Sequence, residues 1–268
     1  MSIPRRTFVR LTGLGTLAAL SRTASSDSPN DKSQGEKPMA IADKAGYLAN
    51  IITVLKTEWP KNRTVNIVCH GHSVPSGYFK TPVVDTFNAY PHLLHRAIKA
   101  VYPYCVANVI VTAIGGENSQ SGAARFETEV LCHRPDVLTI DYALNDRGLG
   151  LQTARAAWVS MIEKALAADV KLLLMTPTPD ESHIPDKADE PLNQHAQQIR
   201  DLAAEYGVGL IDSLAGFDAY QKANGNVTDL LSQINHPNRK GHDIVAKELF
   251  SWFSDQPYPP TVENWKPQ

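Results

Sequence analysis

The stretch NIVCHGHSVPSGYF, residues 66–79, decides how this chain is expected to fold. The run that leads into it, Val65–Cys69, is short, apolar and partly β-branched, which is typical of a buried parallel strand. Gly71 then permits a tight turn that a side chain would obstruct. The turn would bring the Ser73 hydroxyl just past the carboxyl end of the strand, where open α/β sheets bind their ligands. Ser73 is therefore a candidate nucleophile, although a serine in such a turn proves no chemistry by itself.

Four more apolar runs are predicted as strands, and helical patterns separate the five. The predicted strands are Val65–Cys69, Ala107–Ile114, Asp136–Tyr142, Lys171–Met175 and Val208–Asp212. A segment of mixed pattern then leads to His236, and a last helical pattern follows it. Parallel strands need crossover helices, and these crossovers are right-handed. The sequence thus predicts an α/β protein with a three-layer, doubly wound, flavodoxin-like fold of about five parallel strands with helices on both faces.

Residues 1–24 have the pattern of a twin-arginine-type signal peptide. Arg5 and Arg6 precede the weakly apolar run Leu11–Leu20, and small residues follow it. A run of about ten residues is too short to cross a bilayer. We expect export by the twin-arginine translocation machinery to the periplasm or the medium, with no stable membrane insertion. The alternative is a disordered basic N-terminus on a cytosolic protein.

The rest of the chain is predicted to hold one folded domain. Residues 25–40 contain almost no apolar side chains and are expected to form a disordered linker. Residues 41–268 suit a single domain with an extended C-terminal tail. The chain has 26 basic and 28 acidic residues, but residues 1–24 hold four arginines and no acid, which leaves 22 basic against 28 acidic residues. A net negative domain is a poor partner for nucleic acid, so none is expected.

Three later turns carry residue types that would complement a serine nucleophile. Gly116 follows the second predicted strand, Asn145 follows the third, and His236 comes near the end of the chain. A serine hydrolase needs a base for the hydroxyl proton and donors for the developing oxyanion. Histidine is a suitable base, a glycine lets its N–H approach closely, and an asparagine amide is a neutral donor.

These residues together resemble the SGNH hydrolases, also called GDSL-like esterases, which are named for a Ser, a Gly, an Asn and a His in four blocks. The matching blocks are Gly71-His72-Ser73, Ile114–Ser119 with Gly116, Leu144-Asn145-Asp146, and His236-Pro237-Asn238. The resemblance implies a serine carboxylic ester hydrolase without metal or cofactor. Ser73 would be the nucleophile and His236 the base, while Ser73, Gly116 and Asn145 would form the oxyanion hole.

The chain departs from the pattern of that family at three positions. His72 replaces an acidic residue, Ala143 replaces a glycine, and Gln233 stands where the family has the aspartate of its triad, three residues before the histidine. The group that orients His236 is therefore open. The alternatives are a backbone carbonyl near Ser232 or Gln233, the Gln233 amide oxygen, or Asp229. A Ser-His dyad is favoured, with Asp229 as the alternative third member.

We therefore expect an exported esterase that removes a small acyl group, acetyl above all, from a small-molecule or polysaccharide ester, in which His72 and Arg147 are candidate substrate contacts. Two alternatives differ in chemistry. One is a metal-dependent hydrolase built on His70 and His72, although no acidic residue or further histidine lies within a few residues of that pair. The other is a catalytically inactive SGNH-fold module that binds glycans.

Overall fold

Five strands pair in parallel to form the central sheet of the computed structural model, which describes residues 40–263. The strands are β1 (Thr64–Gly71), β2 (Val106–Val111), β3 (Val137–Asp141), β4 (Lys171–Met175) and β5 (Gly209–Ile211). Their order across the sheet is β2-β1-β3-β4-β5, and every pairing is parallel. This is the flavodoxin-like order, so the predicted fold class is confirmed.

Helices cover both faces of the sheet. They are α1 (Lys44–Tyr47), α2 (Ala49–Lys56), α3 (Ser73–Ser76), α4 (Tyr90–Val101), α5 (Ser119–Ala124), α6 (Phe126–Glu129), α7 (Leu151–Ala167), α8 (Pro191–Tyr206), α9 (Ser213–Asn224), α10 (Arg239–Phe250) and α11 (Pro260–Glu263). Short 3-10 turns span Thr86–Asn88, Leu131–His133, Asp146–Gly148 and Val227–Leu230.

Alternate residues of β1 enter two separate apolar cores, which makes the fold three-layered. Ile67 and Cys69 belong to the core that includes buried residues of α4 and α10. Val68 belongs to the other core, with Trp158 of α7. Side chains of a strand point alternately to opposite faces, so a strand that is covered on both sides is apolar throughout. This explains the continuous apolar run in the sequence.

The chain after β5 contains elements that the sequence pattern did not predict. The side chain of Asp212 accepts a hydrogen bond from the backbone N–H of Ala215 and so caps the start of α9. A small antiparallel ribbon follows, made of β6 (Leu231–Gln233) and β7 (His236–Pro237). The candidate base His236 is therefore held by this ribbon rather than by the parallel sheet.

The predicted N-terminal segments cannot be compared with this structure. The signal peptide predicted over residues 1–24 and nearly all of the linker predicted over residues 25–40 lie outside the described residues. Between residues 40 and 263, no helix combines the length and the apolar character needed to cross a membrane.

Candidate active site

The candidate site lies at the carboxyl ends of β1 and β3, which is the topological switch point of the sheet. The chain passes from β1 to its neighbour β2 on one side and then returns to β3 on the other side. Such a switch point leaves a crevice that binds ligands. Gly71 and Asp141 are register partners there, and a Cβ on Gly71 would come within 2.5 Å of the Asp141 carbonyl oxygen. Only a glycine fits this close approach of two backbones.

The central contact of the site joins Ser73 to His236. Ser73 is the first residue of α3, and its Oγ atom lies 3.0 Å from Nε2 of His236, 163 positions further along the chain. Ser73 is 6% and His236 7% exposed, so both residues are largely buried. A serine hydroxyl and an imidazole nitrogen at this distance can exchange a proton.

The other ring nitrogen of His236 contacts a backbone carbonyl. Nδ1 lies 2.8 Å from the oxygen of Phe79, and Nε2 of Gln233 approaches Nδ1 to 2.9 Å. When Nδ1 donates its proton to Phe79, Nε2 carries the lone pair that a base requires. The sequence suggested a backbone carbonyl near Ser232 or Gln233 as the group that orients His236. The carbonyl is instead that of Phe79, because the segment after α3 folds back over the ribbon.

The other two candidate acceptors, the Gln233 amide oxygen and Asp229, do not contact the His236 ring in the described residues. The side-chain oxygen of Gln233 accepts a hydrogen bond from the backbone N–H of Thr81 at 2.9 Å, so it faces away from the imidazole. Asp229 is exposed, and in the described part of the chain its carboxylate makes no hydrogen bond or ion pair with His236. The acceptor at Nδ1 in the structure is the neutral carbonyl of Phe79, and a Ser-His dyad stays a prediction.

The pKa of His236 lies below its ordinary range. Burial of the ring disfavours its charged form and is the largest cause. The hydrogen bond to the carbonyl of Phe79 acts in the opposite direction, and the neighbouring His72 lowers the pKa further. With its pKa lowered by burial, His236 is neutral and able to accept a proton at neutral pH.

The loops that follow β1, β2 and β3 carry the three candidate oxyanion donors, Ser73, Gly116 and Asn145. The backbone N–H groups of Ser73 and Gly116 have no acceptor among residues 40–263. Gly116 has a φ of 82°, a left-handed conformation that favours glycine. The Asn145 amide donates to the carbonyl oxygen of Glu117 at 2.7 Å, which fixes its orientation and leaves its second hydrogen free. An oxyanion hole needs preorganised donors of this kind.

A buried network behind Gly116 holds this loop in place, and the sequence did not reveal it. The Glu117 carboxylate accepts from Arg125 at 2.5 Å and 3.0 Å and from the Tyr142 hydroxyl at 3.2 Å. The same hydroxyl lies 3.1 Å from Nε2 of His70. Burial and the charge of Arg125 lower the pKa of His70 to about 3, so its ring is neutral. The network anchors Glu117, whose carbonyl orients Asn145.

His72, a candidate substrate contact, lies inside the protein beside Asp141, and a contact of its ring with substrate stays a prediction. Its side chain is fully buried, Nδ1 accepts the backbone N–H of Val74 at 3.1 Å, and Nε2 faces Oδ1 of Asp141 at 3.4 Å. The ring therefore caps α3 and supports Ser73 from behind. The adjacent pair His70 and His72 does not converge with other ligands: residues 40–263 contain no group of three or more His, Cys, Asp or Glu side chains suited to a metal ion.

Arg147 links loops rather than standing free in the cleft. Its guanidinium contacts Oδ2 of Asp180 at 2.7 Å and donates to the carbonyl of Leu144 at 3.0 Å. Glu181, which follows Asp180 in the loop after β4, donates its backbone N–H to the carbonyl oxygen of Ile234 at 2.8 Å. The loop after β4 thus connects the Asn145 loop with the His236 ribbon. A contact of Arg147 with substrate stays a prediction.

The chain is similar to a known family and to a characterised relative. The model of the GDSL-like Lipase/Acylhydrolase family matches residues 69–244. An acetylxylan esterase from Geobacillus stearothermophilus is 25% identical over 172 residues, which is 58% of this chain and 78% of the relative.

Solved structures share the fold. The crystal structure of the acetylxylan esterase Axe2 from Geobacillus stearothermophilus gives a TM-score of 0.64 at 21% identity and covers 72% of this chain and 95% of that chain. An alpha/beta hydrolase enzyme from the metagenome of Lake Arreo gives 0.60 at 19% identity and covers 70% and 94%. Catalytic mutants of a serine, an aspartate and a histidine are described for Axe2, with the aspartate three residues before the histidine.

Proposed function

Because the chain belongs to the GDSL-like lipase/acylhydrolase family and is a carboxylic ester hydrolase, we propose that Ser73 is its nucleophile and His236 its base. The observation that carries the proposal is the 3.0 Å contact between Ser73 Oγ and His236 Nε2 at the switch point of the sheet. Two residues 163 positions apart meet there with a fixed acceptor behind the imidazole. Gln233 replaces the aspartate that precedes the histidine in Axe2, so the proposed enzyme works with a dyad.

In the first half of the reaction, Ser73 Oγ attacks the ester carbonyl carbon while its proton passes to His236 Nε2. The negative charge that forms on the carbonyl oxygen is stabilised by the N–H groups of Ser73 and Gly116 and by the Asn145 amide. The bond between carbon and the alcohol oxygen then breaks. His236 returns its proton to the leaving alcohol, and the acyl group stays on Ser73.

In the second half, water takes the place of the alcohol. His236 Nε2 accepts a proton from the water as its oxygen attacks the acyl carbon, and the same donors hold the oxyanion again. The bond to Ser73 breaks, the proton returns to Oγ, and the carboxylic acid leaves. One histidine therefore serves both halves, alternating between base and acid.

The proposed substrate is a carbohydrate ester with a small acyl group, in particular acetyl. The similarity to an acetylxylan esterase supports the carbohydrate. The ring of Tyr78 supports the small acyl group: its centroid lies 5.9 Å from that of His236, and its atoms would meet a Cβ on Gly115 at 3.0–3.1 Å. The ring thus lies close to both His236 and Gly115, where we expect it to restrict the room for a bulky acyl chain.

The nucleophile is tested with a fluorophosphonate probe. The wild type should be labelled on Ser73, and Ser73→Ala should be neither labelled nor active while its circular dichroism is unchanged. Ser76→Ala is the matched control, since Ser76 lies in the same short helix and its Oγ donates to the carbonyl of His72 at 2.9 Å. Turnover by folded Ser73→Ala would overturn the acyl-enzyme. Loss of activity in a chelator would favour a metal-dependent hydrolase instead.

The substrate is tested with matched esters. We expect release of acetate from acetylated xylo-oligosaccharides and faster hydrolysis of an acetyl aryl ester than of its octanoyl analogue. Tyr78→Ala should narrow the difference between acetyl and octanoyl esters, because it removes the ring that restricts the acyl side. A preference for octanoyl in the wild type would contradict the proposed acyl specificity.

Export through the twin-arginine route is also part of the proposal, and the support for it is the pair Arg5 and Arg6 before an apolar run. Replacing both by lysine should trap the precursor in the cytoplasm, whereas replacing Arg22 by lysine should not. Cell fractionation with antibody detection measures both. Unchanged export of the double variant would assign the N-terminus to another route.

A further inference from the structure

Nδ1 of His236 has two neighbours that make opposite demands on it. The Phe79 oxygen at 2.8 Å is an acceptor, so its hydrogen bond requires a proton on Nδ1. Nε2 of Gln233 at 2.9 Å is a donor, so its hydrogen bond requires a lone pair on Nδ1. A neutral imidazole has one proton to place, and it cannot satisfy both neighbours at once.

The side chain of Gln233 cannot resolve this conflict by turning over. Its oxygen accepts the backbone N–H of Thr81 at 2.9 Å, and its nitrogen approaches the Thr81 hydroxyl at 3.1 Å. A backbone N–H can only donate, so the amide oxygen must face Thr81. The amide nitrogen therefore faces the imidazole, and Gln233 acts on His236 as a donor.

The two tautomers of His236 differ in what they can do to Ser73. With the proton on Nδ1, Nε2 has a lone pair and can take the proton of Ser73. With the proton on Nε2, the ring would donate to Ser73 Oγ at the same 3.0 Å and could not act as a base. The hydrogen bond from Gln233 thus favours the tautomer that is unable to start the reaction.

We propose that Gln233 is a positioning residue that sets the tautomer equilibrium of His236 and holds part of the protein in a state that cannot activate Ser73. The proposal rests on the proposed function of that pair. If only a fraction of the molecules is competent, the apparent rate falls by that fraction. The Gln233 side chain then lowers the apparent rate of the enzyme, rather than being a substitution without effect on catalysis.

The other titratable groups around His236 do not remove the conflict. His72 precedes α3, Tyr78 packs at 5.9 Å between ring centroids, and His242 of α10 packs on the Phe79 ring at 5.0 Å between centroids. His242 is fully buried, and burial, the main cause, lowers its pKa to about 3, so it is neutral. None of these groups is an anion that would fix the proton on Nδ1.

The decisive variant is Gln233→Glu, which keeps the side-chain length. One carboxylate oxygen can accept from Thr81, and the other can accept from Nδ1, so both contacts then favour the competent tautomer. A carboxylate this close raises the pKa of a histidine by about 1 to 3 units. We expect the acidic limb of the pH profile of kcat/KM to move up by that amount and kcat above pH 8 to rise about two- to tenfold.

The control for the added charge is Gln152→Glu, an exposed position in the first turn of α7. It makes the same chemical change away from His236, and its pH profile should match the wild type. If Gln233→Glu leaves the acidic limb in place, or if both variants shift it equally, Gln233 does not act on the ring of His236 and the proposal is overturned.

A second readout does not depend on turnover. The imidazole ¹⁵N chemical shifts of His236 report which nitrogen carries the proton. We expect a tautomer mixture in the wild type and protonation of Nδ1 alone in Gln233→Met, which removes the donor without adding charge. Unchanged shifts in Gln233→Met would overturn the proposal even if Gln233→Glu failed to fold. A wild type that neither turns over nor is labelled at Ser73 would instead refute the proposed function, while the ¹⁵N shifts would still test Gln233.

Discussion

Nδ1 of His236 lies 2.8 Å from the backbone oxygen of Phe79, a residue 157 positions earlier in the chain. A peptide carbonyl carries no net charge, so it fixes the orientation of the ring but stabilises an imidazolium less than a carboxylate would. The chemistry that follows should be that of a weakly basic histidine.

The pH dependence of kcat/KM should reflect the lowered pKa of His236. The ring must be neutral to accept the Ser73 proton, so activity is lost as pH falls through this pKa. Burial lowers the pKa, hence the acidic limb should lie below the ordinary histidine value of about 6.5. A profile of kcat/KM between pH 4 and 9 measures it. A limb clearly above 6.5 would mean that an anion reaches the ring in solution.

Asp229→Asn should leave kcat within about tenfold of the wild type. The residue is exposed and does not contact His236 in the structure, so it has no route to the base. By comparison, disrupting the tautomer in a Ser-His-Asp triad costs about 10⁴-fold. Steady-state kinetics on the folded variant decide the matter. A loss of several thousandfold would identify Asp229 as a third member that approaches only during catalysis.

Asn145→Ala should lower kcat by about 10²- to 10³-fold with a smaller effect on KM, because its amide is needed most when charge develops on the oxygen. Asn50→Ala, at an exposed position of α2, serves as the control and should leave kcat and KM unchanged. Comparing kcat and KM separately is the measurement. A loss confined to KM would make Asn145 a ground-state binding residue.

The stability of the loop after β4 should depend on pH through His183. Its buried ring lies 2.8 Å from Oδ1 of Asp218 and 3.3 Å from Oε2 of Glu190. Burial opposes the charge, but these two carboxylates outweigh it and raise the pKa of His183 above its unfolded value. The contribution to stability is therefore complete below about pH 6.5 and disappears as pH rises through the folded pKa.

His183→Gln should accordingly cost about 1.5 to 3 kcal/mol of unfolding free energy at pH 5.5 and clearly less at pH 9. Urea unfolding at both pH values measures the difference. His133→Gln, at a position of the Leu131–His133 turn, is the comparison for a histidine outside this cluster. An equal cost of His183→Gln at the two pH values would show that its charge plays no part.

The fold could be predicted because the features that determine it are local. An apolar, partly β-branched run such as Val65–Cys69 favours a strand that is buried on both faces. A glycine such as Gly71 is needed where two backbones approach closely. Helix α9 was missed because its buried side chains, such as Phe217, belong to a weakly periodic segment whose start depends on the cap at Asp212.

The site was only partly predictable, because some of its contacts involve backbone groups from distant segments. Ser73, Gly116, Asn145 and His236 follow turns that the pattern marks, and the structure brings Ser73 and His236 together. Every residue has a backbone carbonyl, so the sequence could not identify Phe79 as the hydrogen-bond partner of His236. The buried position of His72 likewise had no sequence signal, because its ring accepts a backbone N–H at the start of a helix inside the protein.

Nucleophile and base belong to parts of the molecule with very different anchoring. Ser73 follows β1, an inner strand of the main sheet with a neighbour on each side, whereas His236 lies in a ribbon described by two register pairs. Short ribbons open at a smaller free-energy cost than a central sheet. Warming should therefore disconnect the base while the core is still intact. The enzyme would then lose its activity reversibly at a temperature at which the core is still folded, and it would regain activity on cooling.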